Sequence, residues 1–112
     1  MNTELMFISM AARELGMHPQ TLRKYERLGL IQPIRTIGSM RLYSTEQIER
    51  LRLIKHLVDE LGINLAGVQQ LLFIADIVER MRPLVNPRGI SHSARRRALQ
   101  RELNLLTKLL GL

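Results

Sequence analysis

The chain has no cysteine and no tryptophan, and only two tyrosines and two phenylalanines among 112 residues. Without cysteine there can be no disulfide, no thiolate metal sensor and no iron–sulfur centre, which suits a reducing compartment. With aromatics at 4% but hydrophobic residues at 46%, the core has to be built from Leu, Ile, Val, Met and Ala, a composition that favours helices over a β-sandwich. No apolar run approaches the ~20 residues that span a bilayer, so no membrane association is expected. The opening residues MNTELMF lack the basic-then-apolar order of a signal peptide, and a bacterial cytoplasmic location is expected, on the nucleoid when bound to DNA. The three histidines, His18, His56 and His92, are scattered without metal-ligand spacing, no glycine-rich phosphate loop is present, and the acids follow helix surfaces. Neither catalysis nor a cofactor or metal is therefore expected, with His56 read as a surface or boundary residue and His92 as solvated. Acid is also in short supply: 17 basic residues stand against 10 acidic ones, a formal charge of +7. That balance suits a polyanion without choosing between DNA, RNA and a membrane surface.

What is present is concentrated in residues 9–44. Ser9 offers an N-cap and Gly16 a left-handed stop for a short first helix. After a two-residue turn, His18-Pro19 opens a second helix, since proline at the first helical position loses no hydrogen bond and brings its φ preset. Gly29 closes that helix, Leu15, Leu22 and Leu28 supply its buried side, and Ala11 and Ala12 let the two helices approach. Two short extended runs, Gln32–Ile37 and Met40–Tyr43, follow around Gly38-Ser39. Helix, tight turn, helix and hairpin read as a winged helix-turn-helix. Off the leucine side of the second helix lie Gln20, Thr21, Arg23, Lys24 and Arg27, residue types that reach base edges and phosphates. The plainer alternative is a solvated face with Arg27 and Glu26 in local pairs; the flanking turn and hairpin weigh against it. Between residues 18 and 41, five basic residues face one acid, Glu26, and the hairpin with the proline-opened helix favours duplex DNA over RNA.

The strings GMHPQTLRKYERLGL and RTIGSMRLYS resemble the DNA-binding domain of the MerR family of bacterial transcription regulators, and within it the heat-shock repressor branch typified by HspR. The likeness covers residues 7–72, and LGINLAGVQQLL extends it. It implies groove contacts from His18, Gln20, Thr21 and Arg23, and backbone contacts from Lys24, Tyr25, Arg35 and Arg41. Lys24-Tyr25 replaces the Tyr-Tyr of many members, so a tyrosine–phosphate contact becomes a lysine–phosphate contact. Gly38-Ser39 replaces the Gly-Gly of many heat-shock wings, which leaves the wing tip less defined.

Beyond the hairpin, Ser44 with Gln47 makes a possible capping box for a third helix, in which Ile48, Leu51, Ile54, Leu57, Val58 and Leu61 form the inward stripe up to Gly62. A fourth helix opens at Asn64, with Leu65, Val68, Leu71, Leu72, Ala75 and Val78 as its stripe and Gly67 as a costly interior residue. Phe73, Ile74 and Ile77 either widen the core or face a partner. Pro83, Pro87 and Gly89 break the pattern, and Ala94–Leu110 is helical again, with Leu99, Leu103, Leu106 and Leu110 as a heptad seam. The seam is expected to pair with a second copy as a coiled coil, the alternative being that it folds back on Phe73 and Ile77. Arg95, Arg96, Arg97 and Arg101 could touch flanking phosphate, bind an acidic partner or keep the helix end soluble.

The expected architecture is mainly α: a winged helix-turn-helix unit over residues 1–79 with a short β-hairpin wing, a linker over 80–93, and a C-terminal dimerisation helix over 94–112. About thirty residues after position 79 leave little room for a small-molecule effector domain. The resemblance implies a repressor of chaperone genes that binds an inverted repeat as a homodimer, with a DnaK-type chaperone as co-repressor. The competing readings are a MerR-like regulator with another target and trigger, or a protein-interaction adaptor.

Overall fold

A strand precedes the first helix, a feature the sequence pattern did not disclose. The computed structural model describes residues 4–86 and 88–112 and divides into two compact units, Met1–Asn64 and Leu65–Leu112. The first unit opens with β1 (Leu5–Phe7) and continues through α1 (Ile8–Leu15), α2 (Pro19–Arg27), β2 (Ile34–Arg35), β3 (Arg41–Ser44) and α3 (Thr45–Lys55), which runs on into a π-helical turn, His56–Glu60. The strands form one antiparallel sheet in the order β1-β3-β2, with Met6 opposite Tyr43, Phe7 opposite Leu42 and Arg35 opposite Arg41. Because the chain passes directly from β1 into α1, the helix is capped by the extended backbone of Phe7 with no side-chain bond, and Ser9 lies inside it instead of at its N-cap.

The remaining boundaries follow local chemistry. Gly16 adopts φ 64°, the left-handed conformation that lets Met17 N–H reach back to the Ala12 carbonyl at 2.9 Å. A side chain there would be strained and would also meet Lys55 Nζ, which donates to the Leu15 carbonyl at 2.7 Å. His18 caps α2 by accepting the Gln20 amide on Nδ1 at 3.0 Å, with Pro19 at the first position. Ser44 and Gln47 form the full reciprocal capping box on α3. The Gln47 side-chain amide also donates to the Gln32 carbonyl, tying the start of α3 to the chain that leads into the wing.

The core of this unit consists of Ala11, Ala12, Leu15, Leu22, Tyr25, Leu30, Ile31, Tyr43, Ile48, Leu51, Ile54 and Leu57. Each fully buried leucine or isoleucine contributes about 1.5–3 kcal/mol, well above a surface ion pair. Two expectations change here. Leu28 is 47% exposed, because it falls outside the last turn of α2 and the chain reverses at Gly29 so that Leu30 and Ile31 fill the space. Leu61 is 56% exposed because it follows the π-helical turn, whose wider winding rotates it off the stripe that Leu51 and Ile54 occupy.

One carboxylate joins the second helix to the wing. Glu26 accepts from Arg35 Nη2 at 2.8 and 2.9 Å and from Arg41 Nε at 2.7 Å. Arg35 Nη1 also donates to the Ser39 carbonyl at 3.0 Å, and Thr36 bonds Met40 through both its backbone and its hydroxyl. The strands of the hairpin are thus shorter than the extended runs suggest, with Thr36–Met40 forming the tip. Ser39, at φ 63°, carries the left-handed conformation, and Gly38 does not. Tyr43 lies fully buried in β3 with its hydroxyl unpartnered.

In the second unit, α4 (Leu65–Met81) leads through a 3-10 turn, Arg82–Leu84, to α5 (His92–Leu110). The last helix starts two residues before the expected Ala94, because Ser91 accepts the Ala94 amide at 3.1 Å and acts as its N-cap. Arg80 pairs with Glu102 at 2.9 Å, and Arg95 Nε donates to the Leu84 carbonyl at 2.7 Å. Gly67 falls in the first turn of α4.

Two outcomes follow for stability. Glu26→Gln should cost about 1 kcal/mol in denaturant unfolding, since charge-assisted hydrogen bonds are lost but Arg35 is already half solvated. An unchanged midpoint would show that the carboxylate does not hold the wing. Tyr43→Phe should raise stability by about 1 kcal/mol by removing a buried, unsatisfied hydroxyl. Burial first, then the Glu26 charge, push the Tyr43 phenol above its ordinary 10.0, while Arg41, Arg23 and Arg35 pull it back. A raised folded value means that the stabilising effect is full below pH 10.0 and is lost as pH climbs through the raised value. Wild type should therefore destabilise more steeply in alkali than Tyr43→Phe, as read by thermal unfolding across that range.

Candidate nucleic-acid interface

A polar surface on α2 follows from how the helix is anchored. Leu22 and Tyr25 take the inward side, at 0% and 6% exposure, and with 3.6 residues per turn Gln20, Arg23, Lys24 and Arg27 are left off that side. Gln20, Lys24 and Arg27 are exposed, and Thr21 and Arg23 are half-buried. The N-terminal end of the helix is fixed by its cap. Because His18 accepts on Nδ1, a neutral ring carries its proton on Nε2, which leaves an N–H donor at the exposed edge. Gln20, in the same turn, offers a donor and an acceptor on one amide.

The eight candidate residues divide into three groups. His18, Gln20, Thr21, Arg23 and Lys24 share the open side or the N-terminal end of α2. Arg35 and Arg41 sit opposite each other on the wing, and Glu26 brings both to the α2 side of the hairpin. Tyr25 is the only one of the eight that is buried, and burial followed by the Asp59 charge pushes its phenol up. Its ring belongs to the core beneath the open face.

Glu26 is the residue of this face whose pairing spacing did not reveal, since it lies 9 and 15 residues from its partners. The available signal was compositional: a lone acid among five bases. The pairing also differs from the local Arg27–Glu26 alternative, because the carboxylate turns to the wing. Its chemical consequence is definite. The two wing guanidiniums are held in place, and each keeps N–H groups beyond those that Glu26 takes, because a guanidinium has five donors. Arg50 supports the same region from α3 by donating to the Leu30 carbonyl at 3.0 Å, just after the turn that ends α2.

Among the described residues, no group of three or more His, Asp or Glu side chains is placed to hold a metal ion, and no helix is long and apolar enough to cross a membrane.

Comparison with known proteins agrees with this geometry. Residues 6–73 match the model of the MerR HTH family regulatory proteins. The chain is 45% identical over 80 residues to the putative heat shock protein HspR of Streptomyces coelicolor, covering 71% of this chain and 53% of that protein. It is 42% identical over 66 residues to the mercuric resistance operon regulatory protein of Bacillus cereus, covering 58% and 49%. The chain thus spans about half the length of these curated relatives. Among solved structures, HiNmlR, described as a MerR family regulator lacking the sensor domain and bound to promoter DNA, superposes with a TM-score of 0.60 at 20% identity, covering 97% of this chain and 80% of that one. A MerR family transcriptional regulator from Bacillus cereus gives 0.59 at 22% identity, covering 96% and 76%. These structural likenesses support the fold, and the family match rests on the sequence: the chain belongs to the MerR helix-turn-helix family of regulatory proteins.

Proposed function

We propose that this chain is a sequence-specific transcriptional repressor of heat-shock and chaperone genes that binds an inverted-repeat operator as a homodimer. The observation that carries the reading is the open side of α2, where a capped N-terminus presents His18, Gln20, Thr21 and Arg23. A recognition helix enters the major groove N-terminal end first, and amide and guanidinium groups there read base edges bidentately. Lys24, Arg35 and Arg41 take the phosphate backbone on either side, while Tyr25 packs beneath them. The DNA-bound state of HiNmlR and the 45% identity to HspR support the target class and the branch. A DnaK-type chaperone is the proposed co-repressor, on the strength of the same branch resemblance.

The homodimer is proposed to form through Leu99, Leu103, Leu106 and Leu110. In α5, which buries no residue, Leu103 and Leu110 are 52% and 58% exposed, while Leu99 and Leu106 are half-buried. Residues 1–79 then serve as the DNA-binding unit, with 80–93 linking it to the dimerisation helix over 94–112. A second reading, a regulator with a different target and trigger, draws on the 42% identity to the mercuric resistance regulator. The missing cysteines count against a thiolate sensor in this chain.

Fluorescence anisotropy should show tighter binding to an inverted-repeat chaperone promoter fragment than to a scrambled duplex, strengthened by a DnaK-type chaperone. Specific binding without any chaperone effect would favour the second reading. Arg23→Ala should cost about 1–3 kcal/mol of operator affinity in that assay, and an unchanged affinity would remove Arg23 from the groove. Leu103→Asp should give monomers in sedimentation and lose the preference for the repeat. A stable dimer would exclude the seam.

A further inference from the structure

The chain's positive charge is not centred on its recognition helix. Residues 65–112 hold eight of the 17 basic side chains and three of the 10 acidic ones, a net +5, while the first 64 residues hold nine and seven, a net +2. Within the second unit the acids are largely committed. Glu102 pairs with Arg80 and Glu79 with Arg82, while Arg95 is occupied by the Leu84 and Val85 carbonyls. Arg96, Arg97 and Arg101 are exposed on α5, and no acidic side chain among the described residues pairs with them.

This cluster has no structural explanation. The Arg97 and Arg101 pair at i, i+4 repels, which costs stability. The placement is also separate from the other uses of α5. At about 100° per residue, Arg97 and Arg101 lie roughly 40° apart and some 150–170° round from the centre of the Leu99–Leu103–Leu106–Leu110 seam. The side that meets α4, with Glu102, Leu105 and Leu109, falls between them and the seam. A dimer formed through the seam leaves Arg97 and Arg101 open to solvent, while Arg96 lies some 50° from the seam centre, at the rim of a groove it lines with Leu99 and Leu103.

We propose that Arg96, Arg97 and Arg101 form a second duplex-binding surface that grips the phosphate backbone without reading sequence. The proposal rests on the DNA-binding reading above and adds a contact outside the winged helix. Phosphate fits this surface because guanidiniums fork onto its oxygens and need no apolar partner, and the side that Arg97 and Arg101 share also carries the polar Asn104 and Lys108. A polyanion also relieves the repulsion between Arg97 and Arg101.

The test is a salt series of anisotropy on inverted-repeat and scrambled duplexes with the full chain and with R96Q/R97Q/R101Q. Each lost phosphate contact lowers the slope of log affinity against log salt by about 0.9, so a decrease of about 2–3 per protomer is expected. Affinity should fall by the same factor on both duplexes, leaving the preference for the repeat intact, and R96K/R97K/R101K should restore most of the slope. A triple glutamine variant with an unchanged slope overturns the surface even if wild type prefers the repeat, and such a surface would then answer to an acidic protein. A loss confined to the repeat also overturns it. Wild type that binds neither duplex would instead sink the DNA-binding reading on which the proposal stands.

Discussion

One carboxylate fixes the geometry on which the winged unit depends. A β-hairpin of two short strands is marginal alone, and β2 contributes only Ile34 and Arg35, both exposed. Hydrophobic burial therefore cannot set the position of the wing tip. Glu26 does so instead, because its oxygens accept from guanidiniums on both strands and its own backbone belongs to α2. At 17% side-chain exposure it is shielded enough for those bonds to count, whereas the Arg52–Glu14 contact at 3.6 Å, with both partners about half exposed, contributes little. Glu26 thus ties α2 to both strands of the wing, which limits how far the polar side of α2 and the wing arginines can move apart.

The same carboxylate carries a chemical consequence. Wing arginines offered to solvent would occupy many rotamers, and ordering each costs entropy. Paired to Glu26, they are preorganised, yet part of their positive potential is neutralised. Phosphate approaching the wing meets guanidiniums that still have free N–H groups but share their charge with an acid. Positioning is gained at the expense of raw attraction, which suits the phosphate-backbone role proposed for the wing.

How much of this could be read beforehand depends on whether the determinant was local. Capping chemistry is local, and so Ser44 with Gln47, His18 with Pro19 and the glycine at position 16 were legible and stand as expected. The hairpin was legible from its turn, although the left-handed position fell on Ser39. What failed was non-local. The strand Leu5–Phe7 has no strong pattern of its own and exists because β3 offers it an edge. Ser9 lost its capping role for that reason, and Leu28 lost its place in the core because Leu30 and Ile31, after the reversal at Gly29, occupy it. Tyr25 carries a different lesson: the resemblance implies a backbone contact for it, and helical periodicity also puts its ring one turn from Leu22, on the buried side. Glu26 could be suspected from composition, but its partners could not be named without the fold.

The second unit shows the limit of local reasoning from the opposite side. An isolated helix of α5's length is marginal in water, because ordering its backbone costs about 1–2 kcal/mol per residue against hydrogen bonds that water also supplies. Its stabilising contacts within the unit are few. The Arg80–Glu102 pair is the better shielded, with Glu102 at 13% exposure, and Arg95 satisfies the Leu84 carbonyl. Phe73, Leu105 and Leu109 line a groove of about 450 Å³ yet stay 39–48% exposed, and α5 has no fully buried side chain. Arg95 also donates to the Val85 carbonyl, and these few bonds with partial burial leave α5 with little packing of its own. Covering more of its apolar surface would add the stabilisation that such a helix lacks, and the side chains able to supply it, Leu103 and Leu110 above all, are those that the heptad spacing singles out.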